Sequence, residues 1–260
     1  MYIVYYAMKY TIFFFCLGSI TLYCFVKKKE SIHNKKIDGI VFGETGVHFS
    51  YQLGITYYMQ KHFQLKHYKT AGISGGCQSA FLIANHRSVK NYFNHFVLEI
   101  FREDKKIPFS NIFQVCEDKL TELYGKKCKL DKLRKSFYIC VTQLFPCIKN
   151  CNAHDFHSYH ELMESMKASQ FIPFLFGSPW IRYKKNLYID GYFSSFRYKP
   201  TNENWFYLKM YHFNWYYYIT GFLFFHKMFD KQYHETLFDK GYKDAKKKHD
   251  YFLKNGFIEK

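Results

Sequence analysis

Residues 71–82 read AGISGGCQSAFL, with Gly72, Gly75 and Gly76 set around one serine, Ser74. Ahead of the serine runs KTAGI, short and apolar enough for a buried strand. Behind it Cys77, Ala80, Phe81 and Ala84 recur at i, i+3, i+4 and i+7, the spacing of one helix face. The stretch therefore reads as strand, tight turn, helix, with Ser74 at the turn. G-x-S-x-G needs that context, because a sharp turn lifts the hydroxyl clear of the sheet and the glycines admit close neighbours. Here the motif is Gly72-Ile73-Ser74-Gly75-Gly76. In a chain of this composition it arises by chance about 0.04 times, so its context carries the weight. A serine hydroxyl attacks an ester only when a base takes its proton and donors stabilise the oxyanion.

Both requirements have candidates elsewhere in the chain. Residues 37–42, IDGIVF, predict a buried strand ending at Gly43, followed by a glycine-bearing loop and a helix-like stretch, HFSYQLGITYYMQKHF. A helix start offers unpaired N–H groups and the positive end of a dipole, which suits an oxyanion. Residues 136–142, SFYICVT, predict another strand. HDFHSYHELMESMKAS predicts a helix in which Ser158 and Glu161 stand in the capping-box relation. NLYIDGYF predicts a strand that reaches Asp190 and turns at Gly191, and WFYLKMYHF predicts one more. The end, ETLFDKGYKDAKKKHDYFLK, has the pattern of a basic amphipathic helix, while residues 101–135 are polar, helical in places, and hard to read. Strands alternating with helices favour an α/β domain with a largely parallel sheet. In such a sheet a carboxylate at a strand tip lies on the same edge as a strand-to-helix elbow, which makes Asp190 the candidate base.

The order of loop, elbow and D-G strand resembles the patatin-like phospholipases, with likeness from about residue 37 to residue 252. That family has a loop G-G-G-x-[KR]-G, a G-x-S-x-G elbow and a D-G-[GA] motif. Aligned through Gly54, the loop falls on Glu44-Thr45-Gly46-Val47-His48-Phe49, where Gly46 keeps a glycine and His48 stands at the basic position. The elbow matches in full, and Asp190-Gly191-Tyr192 matches two of three positions. KASQFIPFLFGSPWIRYKKNLYIDGYFSS and LFDKGYKDAKKKHDYF also look like the family's last strand approach and last helix. The resemblance implies a three-layer α/β/α sandwich with a largely parallel central sheet. It implies a Ser74–Asp190 dyad without histidine, and an oxyanion hole of the Gly46, Val47 and Gly75 backbone amides. The implied substrates are phospholipids or acylglycerols in membranes, and no calcium or other cofactor is implied. Glu44, Thr45 and Phe49 stand where the family has glycine. A Glu44 carboxylate turned into the site would oppose a developing oxyanion; turned to solvent it would be harmless. A catalytically degenerate, membrane-binding relative is the alternative this leaves.

A second enzyme class stays open at this point, an α/β-hydrolase esterase with a Ser-Asp-His triad. His212, His226, His234 and His249 all follow Asp190. A metal site has little support, since HELMES lacks the second histidine of H-E-x-x-H.

The 260-residue chain carries a formal charge of +17, and 48% of its residues are hydrophobic, with 30 Phe and 25 Tyr. This excludes a disordered chain. The charge favours anionic partners, membrane or nucleic acid, but no nucleic-acid module signature is present, so no specific nucleic acid is expected. AT-rich coding enriches Phe, Tyr, Lys, Asn and Ile together and accounts for part of both biases. Residues 10–26, YTIFFFCLGSITLYCFV, are 17 uncharged residues, or about 25 Å of helix, enough for a thin bilayer. Lys27, Lys28 and Lys29 follow, and only Lys9 precedes. The expectation is an N-terminal transmembrane signal-anchor over residues 1–30 and one hydrolase domain over residues 31–260, on the cytoplasmic side. A cleaved signal is the rival, although CFVKKKE offers no small-residue site. None of the eight cysteines forms a C-x-x-C pair, and a cytosolic domain would keep them reduced. Residues 214–225 are uncharged and aromatic, which suits either a buried strand and helix or a segment dipping into a lipid interface.

Overall fold

Seven strands form one mixed sheet in the computed structural model, which describes residues 36–105, 107–125 and 128–260. Four of them run parallel in the order β3 (Phe137–Gln143), β2 (Lys69–Ile73), β1 (Gly39–Phe42), β7 (Trp205–Leu208). β4 (Lys149–Ala153) turns back beside β3, and β5 (Ile181–Tyr183) makes a hairpin with β6 (Asn186–Ile189). Both connections are too short for a parallel crossover, so β4 is antiparallel to β3 and β5 to β6, and β6 is also antiparallel to β3. The α/β class is as expected, but the sheet is mixed rather than largely parallel.

The register brings two strand ends together. β4 occupies one edge of β3 from Ile139 to Gln143. β2 and β6 must therefore share the other edge. β2 runs along it as far as Cys140, and β6 enters from the opposite direction as far as Thr142. Their ends meet opposite Val141. The residue after β2 is Ser74, and the residue after β6 is Asp190.

Alternation along the strands separates two faces. Ile40, Phe42, Phe137, Ile139, Val141, Phe206 and Leu208 point into the larger core, which also takes the buried residues of the helices. These helices are α1 (Phe49–His62), α2 (Gly76–Ala84), α3 (Ile112–Tyr124), α4 (Tyr159–Ser169) and α5 (Lys231–Lys247). The capping box holds in part. The Ser158 hydroxyl accepts the Glu161 N–H, but the Glu161 carboxylate accepts from His157 instead of closing back on residue 158.

The second face carries Val41, Ala71, Ile73, Tyr138, Cys140 and Tyr198, a cluster with no α-helical member. What crosses that face is the link from β6 to β7, a 3-10 helix over Gly191–Arg197 and a loop containing Pro200. Among the described residues the expected three-layer sandwich thus has one helical layer, the sheet, and a thin third layer. The link is too short, and too poor in helical periodicity, to supply a second helical layer.

α1 and α5 cross through a pair of glycines. A Cβ on Gly54 would stand 2.0 Å from the Phe238 carbonyl oxygen, and one on Gly241 would stand 2.0 Å from that of Tyr51. Gly54→Ala is accordingly expected to cost about 3 kcal/mol, because backbone has to move. A urea melt read by circular dichroism checks this, and a midpoint equal to wild type would show that the helices part freely. On α5, Leu237, Phe238 and Ala245 face inward, while Lys243, Lys246 and Lys247 are exposed, as an amphipathic helix requires. Among the described residues no helix is long and apolar enough to cross a membrane, and the anchor expected over residues 1–30 lies outside them. The six described cysteines are free thiols.

Candidate active site

The elbow forms as the motif requires. Ser74 has φ +52°, in the left-handed region, which costs a residue with a Cβ on the order of 1–3 kcal/mol. α2 leaves at once, and the Cys77 N–H returns to the Ser74 carbonyl at 3.0 Å. Glycine is needed beside the serine because the backbone is crowded. A Cβ on Gly72 would lie 2.4 Å from the Cys77 Cα, and one on Gly76 would lie 2.3 Å from the Phe42 oxygen. The Ser74 N–H itself donates to Ser169 Oγ at 3.0 Å, and Ser169 donates on to the Cys140 carbonyl at 2.6 Å.

Asp190 is fixed on every side. Its N–H donates to the Phe171 carbonyl at 2.9 Å, and its carbonyl accepts the Thr142 hydroxyl at 2.8 Å. Carboxylate Oδ1 accepts the Tyr192 N–H at 2.8 Å, and Oδ2 accepts the Ser74 hydroxyl at 2.7 Å. Gly191 has to be glycine here, since a Cβ would meet the Cys140 oxygen at 2.2 Å. Asp190 is only 2% exposed, and burial pushes its carboxyl up to about 7. The hydrogen bonds from Tyr192 and Ser74 oppose that shift, and the Glu44 charge adds to it. The pair therefore has the geometry for a proton to pass directly from hydroxyl to carboxylate, with the base poised near neutrality.

No histidine intervenes. His212 Nδ1 lies 3.1 Å from the Tyr251 hydroxyl, and His249 pairs with the Tyr58 hydroxyl and Glu259. His234 is buried between Ser50 and the Met228 carbonyl, and His226 is exposed. A triad needs the histidine between serine and aspartate, and these four stand elsewhere, which removes the geometric basis of that alternative.

The oxyanion loop departs from expectation at Val47. Its N–H donates to the Gly221 carbonyl at 2.9 Å, so this donor is already engaged. Gly46 adopts φ +55°, where glycine is at ease, and a Cβ there would lie 2.3 Å from the same Gly221 oxygen. Among the described residues no hydrogen bond engages the Gly46 or Gly75 amide. Both residues line the pocket beside Ser74.

The substituted loop positions are all buried. Glu44 is 3% exposed; its Oε1 accepts the Tyr218 hydroxyl at 3.0 Å, and its Oε2 has no hydrogen-bond partner among the described residues. His48 packs between Tyr217, Phe224 and Tyr233. Its Nδ1 lies 2.7 Å from the Tyr217 carbonyl, an acceptor, so Nδ1 carries the proton and Nε2 accepts from the Tyr233 hydroxyl at 2.6 Å. Burial pushes this imidazole down to about 4, so it is neutral rather than a basic stand-in. Phe49 starts α1 and walls the pocket.

From Ser74, Gly75, Gly46 and Val47 a mostly apolar pocket runs outward along Phe49, Phe96, Phe101, Met163, Ile172 and Phe176. It encloses about 860 Å³ with its open mouth included. Sequence reasoning missed Ser169, Thr142 and Gly221, which hold the serine amide, the aspartate carbonyl and the loop. Ser169 had a signal in the AS of KASQFIP; the other two had none.

The chain matches no known protein-family model, and no curated protein matches it.

Proposed function

We propose that the protein is a serine acyl-ester hydrolase of patatin-like type, cleaving lipid esters such as those of glycerophospholipids or acylglycerols. The observation that carries this reading is the 2.7 Å hydrogen bond to a buried Asp190 from Ser74, which lines an apolar pocket. Asp190 takes the hydroxyl proton as Ser74 Oγ attacks the ester carbonyl. The Gly46 and Gly75 amides are the donors for the resulting oxyanion; loss of one such donor typically costs about 10²–10³ in rate. Collapse expels the alcohol, protonated by Asp190, and leaves an acyl-serine. Water then gives a proton to Asp190 and attacks, releasing the acid and restoring the hydroxyl. The apolar pocket suits an acyl chain.

The base has to be ionised to accept the proton. Its raised carboxyl therefore implies that kcat/KM falls as pH drops through about 7 and levels off above it. Glu44→Gln removes a nearby negative charge and is expected to move that limb to lower pH. A pH profile on an uncharged ester checks both, and a limb near pH 4 would mean that burial does not raise the Asp190 carboxyl. The rival, a lipid-binding relative without catalysis, draws on the engaged Val47 amide and the buried Glu44 carboxylate. Fatty-acid release from phospholipid vesicles by the purified chain, absent in Ser74→Ala, decides for the hydrolase; no release by wild type decides against it.

A further inference from the structure

The Gly221 carbonyl on Val47 belongs to a segment that covers the oxyanion loop from end to end. Residues 215–229 place the Tyr217 carbonyl on His48, the Tyr218 hydroxyl on Glu44 and the Gly221 carbonyl on Val47. Phe225 and Met228 of the same segment wall the pocket. Its outer side is unlike its inner one. Trp215 is 67% exposed and Tyr216 is 47% exposed, on the short helix Trp215–Thr220. Indole and phenol are the side chains that settle at the boundary between water and lipid.

Other exposed apolar residues share this edge of the sheet. Phe145 and Ile148 lie in the turn beyond the end of β3, and Phe174 lies in the loop that follows Ser169. The chain's charge of +17 adds attraction to an anionic bilayer. One face therefore combines the pocket mouth, aromatic residues held out to solvent, and a segment whose inner side occupies an oxyanion donor.

We infer that residues 215–229 are a strap that docks on a lipid surface through Trp215 and Tyr216, and that docking withdraws the Gly221 carbonyl from the Val47 N–H. The catalytic consequence rests on the hydrolase reading; the docking surface does not. Trp215 and Tyr216 are already exposed with the strap closed, so docking shifts the population through what opening adds, the Phe225 and Met228 side chains that the closed strap keeps against the pocket. With the strap open, Val47 joins Gly46 and Gly75 as a donor, and the site gains the third amide that the closed form lacks.

Two measurements on the full chain test this. All three tryptophans are known positions, so Trp180→Phe with Trp205→Phe leaves Trp215 as the sole indole. Vesicles of phosphatidylcholine and phosphatidylglycerol with brominated acyl chains are expected to quench its emission at least twofold relative to unbrominated vesicles. An unquenched Trp215 overturns the docking surface. The second measurement uses Gly221→Ala, whose new Cβ would lie 2.4 Å from the Thr45 carbonyl oxygen and push the strap off the loop. On monomeric p-nitrophenyl butyrate without vesicles this variant is expected to run at least fivefold faster than wild type, and vesicles are expected to stimulate wild type only. Equal stimulation of both proteins overturns the strap's control of the site. If neither protein cleaves any ester, the hydrolase reading fails, and the quenching result still decides the docking surface.

Discussion

Ser74→Ala is expected to lower lipid-ester hydrolysis by at least about 10⁴-fold, because the variant loses the pocket hydroxyl that is hydrogen-bonded to the Asp190 carboxylate. The same loss is expected of Ser74→Gly, but the two variants should differ in stability. Alanine at position 74 keeps the strain of φ +52°, whereas glycine adopts that angle freely. Ser74→Gly should therefore melt above Ser74→Ala, by an amount on the order of 1 kcal/mol. Initial rates of fatty-acid release and paired thermal melts read both effects. Retained hydrolysis in either variant would place the nucleophile elsewhere. Equal melting temperatures would mean that the elbow relaxes around position 74.

Asp190→Asn is expected to abolish activity to a similar degree and, at pH 8, to stabilise the fold. The sign follows from linkage. An unfolded aspartate has its pKa near 3.9, while burial raises it to about 7 in the folded protein. Between these values the folded state holds the proton more tightly, so stability falls as pH rises through this window. Above about pH 7 the full cost is present, on the order of 4 kcal/mol at 1.36 kcal/mol per unit. Asparagine carries no such charge and can still accept the Tyr192 N–H. The variant should thus melt higher than wild type at pH 8 and gain little at pH 4, where the folded carboxyl is neutral and the unfolded one only about half ionised. Such an opposition of stability and activity is common where a buried charge serves catalysis. Urea melts at the two pH values check it; a variant destabilised at pH 8 would mean that the carboxylate is held by favourable contacts instead of being strained by burial.

What could be read in the sequence followed local stereochemistry. The elbow at Gly72–Gly76 was legible because glycine spacing and the helix period of Cys77, Ala80, Phe81 and Ala84 are set within a few residues. Asp190-Gly191 was legible for the same reason, a strand pattern ended by a turn residue. The direction of β6 was not, since strand direction is decided by pairing, and the hairpin turn at Lys184 and Lys185 looks like ordinary charged sequence. β4 escaped because KNCNA, on the sheet's edge, has no apolar alternation to betray it. α3 lay in the polar stretch that is hard to read. The segment over the oxyanion loop escaped for a different reason. In NWYYYITGFLFFHKMF nearly every position is aromatic or apolar, so hydropathy does not separate its inner face from its outer one. Gly221 is recognisable only once Thr45 is known to lie against it.

The dyad is tested most directly by labelling with a fluorophosphonate, which forms a bond only with a serine that is already activated. Mass spectrometry of the digested adduct gives the position, and the time course gives the rate. Expected is one adduct, at Ser74, that forms more slowly as pH falls below about 7 and is strongly retarded in Asp190→Asn. Labelling of Ser74 at the wild-type rate in Asp190→Asn, or no adduct at Ser74 in the wild-type chain, would contradict it.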